Sequence, residues 1–251
     1  MKPITKISHP LTSLFGSELL PNRVGRLARM DVHVWTIDSV EWQKRFPDSH
    51  ALLSEEELAR TERFRDRRDR DLFVTGRQAS RILLAHYADR APEGVTIAPD
   101  AYGKPVTDCG LQFNISHTRD QLLLLGFSDS PIGVDIERID PLTEIERLGE
   151  RHFTEAEFLH LMNDEEAGRQ GAFFKLWTKK ESLAKGIGQG LRLPFQVFNV
   201  TDGNGRVRWD LTTGHCYGDW YVRELDIQPG YASAFATPNP RVQLRHFHMD
   251  G

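Results

Sequence analysis

Two short patterns carry residues that could do chemistry. In GVDIERI, residues 133–139, Asp135 and Glu137 stand two apart among the apolar residues Val134, Ile136 and Ile139. A strand turns successive side chains to opposite faces, so the two carboxylates share one face, with Cα atoms roughly 6 to 7 Å apart. Like charges that close raise each other's energy unless a proton or a cation comes between them. A hard divalent metal is the simplest remedy, because Mg²⁺ takes oxygen ligands and is commonly held by one or two carboxylates together with substrate phosphates. In WTKKESLAKGIGQG, Trp177, Glu181 and Lys185 recur every fourth residue, which stacks them along one helix face. Each pattern alone has a plainer reading. A D-x-E triplet is more often the solvated face of an edge strand, and a Glu–Lys pair one turn apart is more often a surface ion pair contributing about 0.2–0.5 kcal/mol.

Smaller pieces lie nearby in the sequence. Asn114-Ile115-Ser116-His117 ends an apolar run with a hydroxyl and an imidazole, both able to donate to a phosphate, although turn chemistry alone explains them. Tyr102-Gly103-Lys104-Pro105 restricts where the Lys104 ammonium can go. Glycines 186, 188 and 190 follow a helix where a dinucleotide or phosphate loop would precede one, so they are not such a signature.

The elements that must position these groups are legible as periodicities. Asp31 to Asp38 reads as a strand, and Ser54-Glu55-Glu56-Glu57 as a capping box opening a helix to about Asp66. A second helix spans Asp69 to Tyr87, followed by strands at Leu111–Ser116 and Gln121–Phe127. The order then repeats. The strand at GVDIERI leads to a capping box at Thr154–Glu157, a helix from about Ala172 to Lys185 stopped by Gly186, and short strands at FQVFNV, RVRWDL, DWYVREL and YASAFAT. The expected fold is α/β (α+β): two pseudo-symmetric subdomains with a ligand cleft between them. The expected divisions are an irregular segment over 1–28, one subdomain over 29–130, and a second over 131–251 that holds the acidic motif.

Composition bounds the rest. The 251 residues are 39% hydrophobic and 27% charged, ordinary for a folded domain of this size. No apolar run reaches a membrane span and the N-terminus lacks a continuous apolar core, so the expectation is a cytoplasmic protein without a membrane partner. Cys109 and Cys216 lie far apart without metal-ligand spacing. A net charge of −4 argues against nucleic acid as a partner. Between Arg60 and Arg81, however, eight arginines face four acids, which suits a phosphate or an acidic protein, or else a solvated helix face with internal pairing.

Taken together and in order, YGKP, FNISH, GVDIE, FTEAEF and FFKLWTKKESLAKGIGQGL resemble the surfactin-type 4′-phosphopantetheinyl transferases, over about Arg60 to Leu193. The resemblance implies a monomer with coenzyme A and Mg²⁺ in its cleft. It would move the phosphopantetheine arm of coenzyme A onto a serine of an apo acyl or peptidyl carrier protein and release adenosine 3′,5′-bisphosphate. It further implies Asp135, Glu137 and Glu181 as metal ligands, and Lys185 on the coenzyme A phosphates. Ser116, His117 and Lys104 match positions at the diphosphate or 3′-phosphate end, and Glu181, Lys185 and His117 would act in the transfer itself. Arg60, Arg63 and Arg77 correspond more loosely to basic residues that bind coenzyme A. Two rival readings use the same residues: a non-catalytic module binding coenzyme A or a carrier, and a metal-dependent nucleotide hydrolase. The tail RVQLRHFHMDG receives no role.

Overall fold

One run of strand, helices and strands is used twice in succession. The structure, a computed structural model, describes residues 24–46 and 50–249. The irregular N-terminal segment anticipated over 1–28 therefore lies, up to residue 23, outside the described residues. The first round contains β1 (Asp31–Asp38), α1 (Ser39–Arg45), α2 (Glu55–Thr61), α3 (Arg67–Ala88), the ribbon β2 (Ile97–Pro99) and β3 (Pro105–Thr107), β4 (Gln112–His117) and β5 (Leu122–Ser128). The second contains β6 (Gly133–Arg138), α4 (Ile145–His152), α5 (Glu155–Asn163), α6 (Glu166–Ile187), the ribbon β7 (Phe198–Asn199) and β8 (Arg208–Trp209), β9 (Tyr221–Leu225) and β10 (Tyr231–Thr237). A last strand, β11 (Gln243–Met249), follows.

Strand order repeats as well. One sheet runs β11-β1-β5-β4 and the other β6-β10-β9, so the first strand of each round pairs antiparallel with the last, which pairs antiparallel with the one before it. The α/β class follows, with two subdomains of similar topology. The tail supplies β11, which runs parallel to β1 and stacks Phe247 on Trp35 with ring centroids 4.6 Å apart. The end of the chain thus belongs to the first sheet, although it follows the second round in sequence.

Period-two alternation sorts the core into layers. Trp35, Ile37, Leu123 and Leu125 face α3, while Val32, Val34, Leu122 and Leu124 face Val134, Ile136 and Phe235 of the other sheet. On its far face the second sheet places Ala232 and Ala236 under α6, against Phe173, Leu176 and Leu183. Asp135 and Glu137 alternate with Val134 and Ile136, and so belong to the face that α6 covers. Among the described residues no helix is long and apolar enough to cross a membrane.

Several boundaries differ from expectation. Both capping boxes form in full, at Ser54/Glu57 and Thr154/Glu157. However, α2 ends at Thr61 because Asp66 caps the next helix, accepting the Arg68 N–H at 2.8 Å. Helix α6 starts earlier and runs past Gly186 to Ile187. Its stop is Gly188, in the left-handed region at φ 87°, whose N–H reaches the Ala184 and Lys185 carbonyls. The anticipated strand at FQVFNV is a single 3₁₀ turn followed by two paired residues.

One buried ion pair ties the second round together. The Lys180 ammonium is wholly buried, 2.7 Å from Glu157 Oε2, and donates to the Phe195 and Phe198 carbonyls at 2.7 Å each. Glu157 meanwhile caps α5 and accepts from the Val200 N–H at 2.8 Å. Removing one partner strands a buried charge, so Lys180→Ala is expected to cost about 3–5 kcal/mol in urea unfolding. A loss below about 1 kcal/mol, the range of an exposed pair, would show that water reaches the site.

Candidate active site

The acids of GVDIERI sit where the edges of the two sheets meet. Strands β4 and β6 are both edge strands, and the side chains of β4 substitute for a backbone ladder between them. Asn114 Oδ1 accepts the Val134 N–H at 2.9 Å, and Ser116 Oγ accepts the Ile136 N–H at 3.4 Å. Two residues apart on one strand, Asn114 and Ser116 face the same way, which explains how FNIS can seal the edge of GVDIE. Helix α6 then crosses β6 at backbone contact. A Cβ on Gly133 would lie 1.9 Å from the Ser182 carbonyl oxygen, and one on Gly186 would lie 2.7 Å from the Trp220 ring. Only glycine at both positions permits the approach that brings Lys185 onto the strand.

The convergence is close. Asp135 is buried, and its Oδ1 accepts from Ser116 Oγ at 2.8 Å and from Lys185 Nζ at 2.6 Å. Lys185 Nζ also donates to Ser116 Oγ at 2.9 Å. The other oxygen of Asp135, Oδ2, is buried without a hydrogen-bond partner. Burial alone would depress the Lys185 ammonium, but the charges of Asp135, Glu181 and Glu137 outweigh it and hold its pKa above the ordinary value. Burial first and the Asp135 charge second push Glu137 up to about 7, against the pull of Lys185. Glu181 is raised too, by burial and by Asp135, with Lys185 opposing. His117 is lowered by desolvation and by the Lys185 charge, with Asp69 and Asp135 opposing.

These shifts make Glu137 a reporter of the site. Its native pKa, about 7, lies above the unassociated glutamate value of 4.5. Between those values the native state holds more protons than the unfolded chain, so this group's contribution to stability falls as pH rises and is fully lost above 7. Ligand-free Glu137→Gln is therefore expected to melt higher than the parent at pH 8 and equally at pH 4.5. Equal melting temperatures at both pH values would remove the desolvated-carboxylate assignment.

The three acids do not stand as a finished coordination shell. Among the described residues, no group of three histidine, cysteine, aspartate or glutamate side chains is assembled to hold a metal ion. The donor set nevertheless suits a hard cation. It consists of carboxylate oxygens alone, one of them buried and unpartnered, and both Glu137 and Glu181 carry a penalty from Asp135 that a cation would relieve.

Glu137 lines a cleft of about 540 Å³ with Arg68, Thr118, Arg119, Asp120, Arg138 and Phe174. Lys104 lines another, of about 390 Å³, with Asp100, Gln112, Gly188 and Trp220. There its ammonium donates to the Gly186 carbonyl at 2.9 Å and to that of Ile132 at 3.4 Å, and burial lowers its pKa to about 8. The arginines are differently disposed. Arg77 lies 3.3 Å from buried Glu57, which also pairs with Arg81 at 2.7 Å, while Arg60 lies 4.8 Å from the centre of the Phe73 ring. Arg63 is exposed. None of these three lines either cleft, whereas Arg68 of the same basic segment lines the first. Sequence reasoning passed over Arg68, Asn114 and Asp120. For Asn114 the period-two spacing to Ser116 was available as a signal. For Arg68 and Asp120 nothing in the local pattern distinguishes them from neighbouring charges.

The sequence model of the 4′-phosphopantetheinyl transferase superfamily matches residues 131–236, the stretch that holds β6 and α6. The 4′-phosphopantetheinyl transferase HetI of Nostoc is 32% identical over 166 residues, covering 64% of this chain and 70% of that protein. Sfp, the 4′-phosphopantetheinyl transferase of Bacillus subtilis, is 28% identical over 193 residues, covering 76% and 84%. A further Bacillus subtilis 4′-phosphopantetheinyl transferase is 30% identical over the same shares. With its acids, lysine and serine drawn together at the junction of two like lobes, the chain is a phosphopantetheinyl-transferring enzyme and belongs to the 4′-phosphopantetheinyl transferase superfamily.

Proposed function

We propose that this enzyme transfers the 4′-phosphopantetheine arm of coenzyme A to a serine hydroxyl of an acyl or peptidyl carrier protein, with Mg²⁺, releasing adenosine 3′,5′-bisphosphate. The observation that carries the reading is the meeting of Asp135, Ser116 and Lys185 within 2.6–2.9 Å of one another, with Glu137 and Glu181 in the same electrostatic field. The serine oxygen forms a bond to the phosphorus that bears the pantetheine arm. The bond from that phosphorus to the bridging oxygen breaks, and the oxygen leaves with the adenosine bisphosphate. Lys185, protonated because three acids surround it, donates to the diphosphate and offsets the charge growing on the leaving oxygen. His117, whose pKa desolvation and the Lys185 charge lower, would donate a ring N–H to the diphosphate. Glu181, raised toward the working pH, accepts the serine proton directly or through water. Asp135, Glu137 and Glu181 would hold the metal, which when bound supplies Lewis-acid neutralisation of the diphosphate.

Mass spectrometry of an apo-carrier after incubation with enzyme, coenzyme A and Mg²⁺ tests this directly. The expected product is a carrier heavier by one phosphopantetheine on its serine. Bisphosphate release with unmodified carrier would mean a hydrolase. Neither product, across a panel of apo-carriers, would leave a binding module.

A further inference from the structure

The turn that follows His117 is pinned to both lobes by two adjacent residues. Hairpin β4–β5 reverses over Thr118 to Gln121, with Gln121 in the left-handed region at φ 70°. On one side, the Ser39 N–H donates to the Gln121 carbonyl at 3.0 Å and the Ser39 hydroxyl to Gln121 Oε1 at 2.9 Å, fastening the turn to the start of α1. On the other side, Asp120 reaches into the second lobe. Its Oδ1 accepts the Thr118 hydroxyl, its Oδ2 accepts the Tyr231 hydroxyl, and Arg138 Nε lies 3.8 Å from that oxygen. Tyr231 and Arg138 face each other in the β10–β6 ladder, one register step from the Ala232–Glu137 pair. The carboxylate therefore joins the hairpin carrying His117 to the rung beside a candidate metal ligand. Asp120, Arg119, Arg138 and Glu137 all line the 540 Å³ cleft.

We propose that Asp120 is a positioning residue, setting where His117 stands relative to β6 and α6 by locking the β4–β5 turn to Tyr231 and Arg138. The inference rests on the transfer function proposed above. It is not a general stability role, because the carboxylate lines the cleft and the partners of its Oδ2, Tyr231 and Arg138, lie across the lobe junction. A hydrogen-bonded support of this kind commonly carries a 10- to 100-fold effect, and displacing a reacting group by about 1 Å can do the same.

The test is a double-mutant cycle on kcat/KM for coenzyme A, with coenzyme A affinity from calorimetry as a second readout. Asp120→Ala is expected to lower kcat/KM about tenfold. Asp120→Asn, whose amide oxygen still accepts from Tyr231, should retain activity within about threefold of the parent, and Tyr231→Phe, which deletes a single hydroxyl, should reproduce part of the loss. In a His117→Ala background, both Asp120→Ala and Tyr231→Phe should cost less than about twofold, since the group they position is gone. Equal losses with and without His117, or full activity in Asp120→Ala, would overturn the proposal. Should Asp120→Ala not fold, Tyr231→Phe completes the cycle and decides it. Failure of the parent enzyme to modify any carrier would instead overturn the function itself, an outcome distinct from additive losses in an active enzyme.

Discussion

Asp135→Ala is expected to lower carrier modification by at least about 10³-fold, the largest single effect in the molecule. Three consequences fall together. The buried acceptor of Lys185 and Ser116 disappears, the unpartnered Oδ2 is lost as a donor to a cation, and the charge that helps raise Glu137 and Glu181 is removed. Asp135→Asn separates shape from charge. Its amide oxygen can still accept from Ser116, so the strand junction should hold while the field that draws Lys185 and a divalent ion is gone. Steady-state formation of modified carrier across a Mg²⁺ series, with circular dichroism as the folding control, measures both variants. Near-parental turnover in Asp135→Asn would remove the electrostatic role and leave Asp135 as a hydrogen-bonding wedge between β4 and β6.

Glu181→Gln is expected to reduce kcat by about 10²- to 10⁴-fold at ordinary Mg²⁺, the range for losing a positioned general base. The Mg²⁺ dependence then divides the two jobs. A ligand role predicts a sharply higher metal requirement, with much of the rate recovered at saturation. A base role predicts an unchanged requirement and an unrecovered rate. The expected result is weighted toward the ligand, because Glu181 feels Asp135 and Lys185 as neighbours and shares their site with Glu137. Lys185→Ala serves as the control. It should weaken coenzyme A binding and, because the charge that holds Glu181 down is gone, move the acid-side limb of the pH–rate profile to higher pH if that limb belongs to Glu181. An unaltered rate with unaltered metal dependence in Glu181→Gln would reduce the residue to half of an ion pair.

Much of this was legible in one dimension because the relevant periods are short. Two-residue alternation already placed Asp135 and Glu137 on one face, and the four-residue step placed Glu181 and Lys185 on another. Both capping boxes were readable because a cap is satisfied within three residues of itself. The doubled order of strands and helices was visible for the same reason. Boundaries were less legible where a distant contact overrides local chemistry. Gly186 looks like a helix stop, but the helix runs through it to Ile187, and glycine stands there because the Trp220 ring and the backbone of Gly133 occupy the space a side chain would need. The tail carries no motif, and its strand exists because β1 offers it an edge.

By itself the sequence determined the inventory: which residues carry charge, which share a face, which turns and caps punctuate the chain, and which family pattern they make up. The tertiary structure alone decided which of those faces meet. That Asp135 takes Lys185 and Ser116 as partners, that Arg77 faces Glu57 instead of lining either cleft, and that Asp120 reaches Tyr231 across 111 residues are all outcomes of packing two sheets edge to edge under a close helix. Local periodicity has a reach of about one or two turns, whereas a site between lobes is assembled from contacts whose partners are specified by burial and backbone approach over the whole chain.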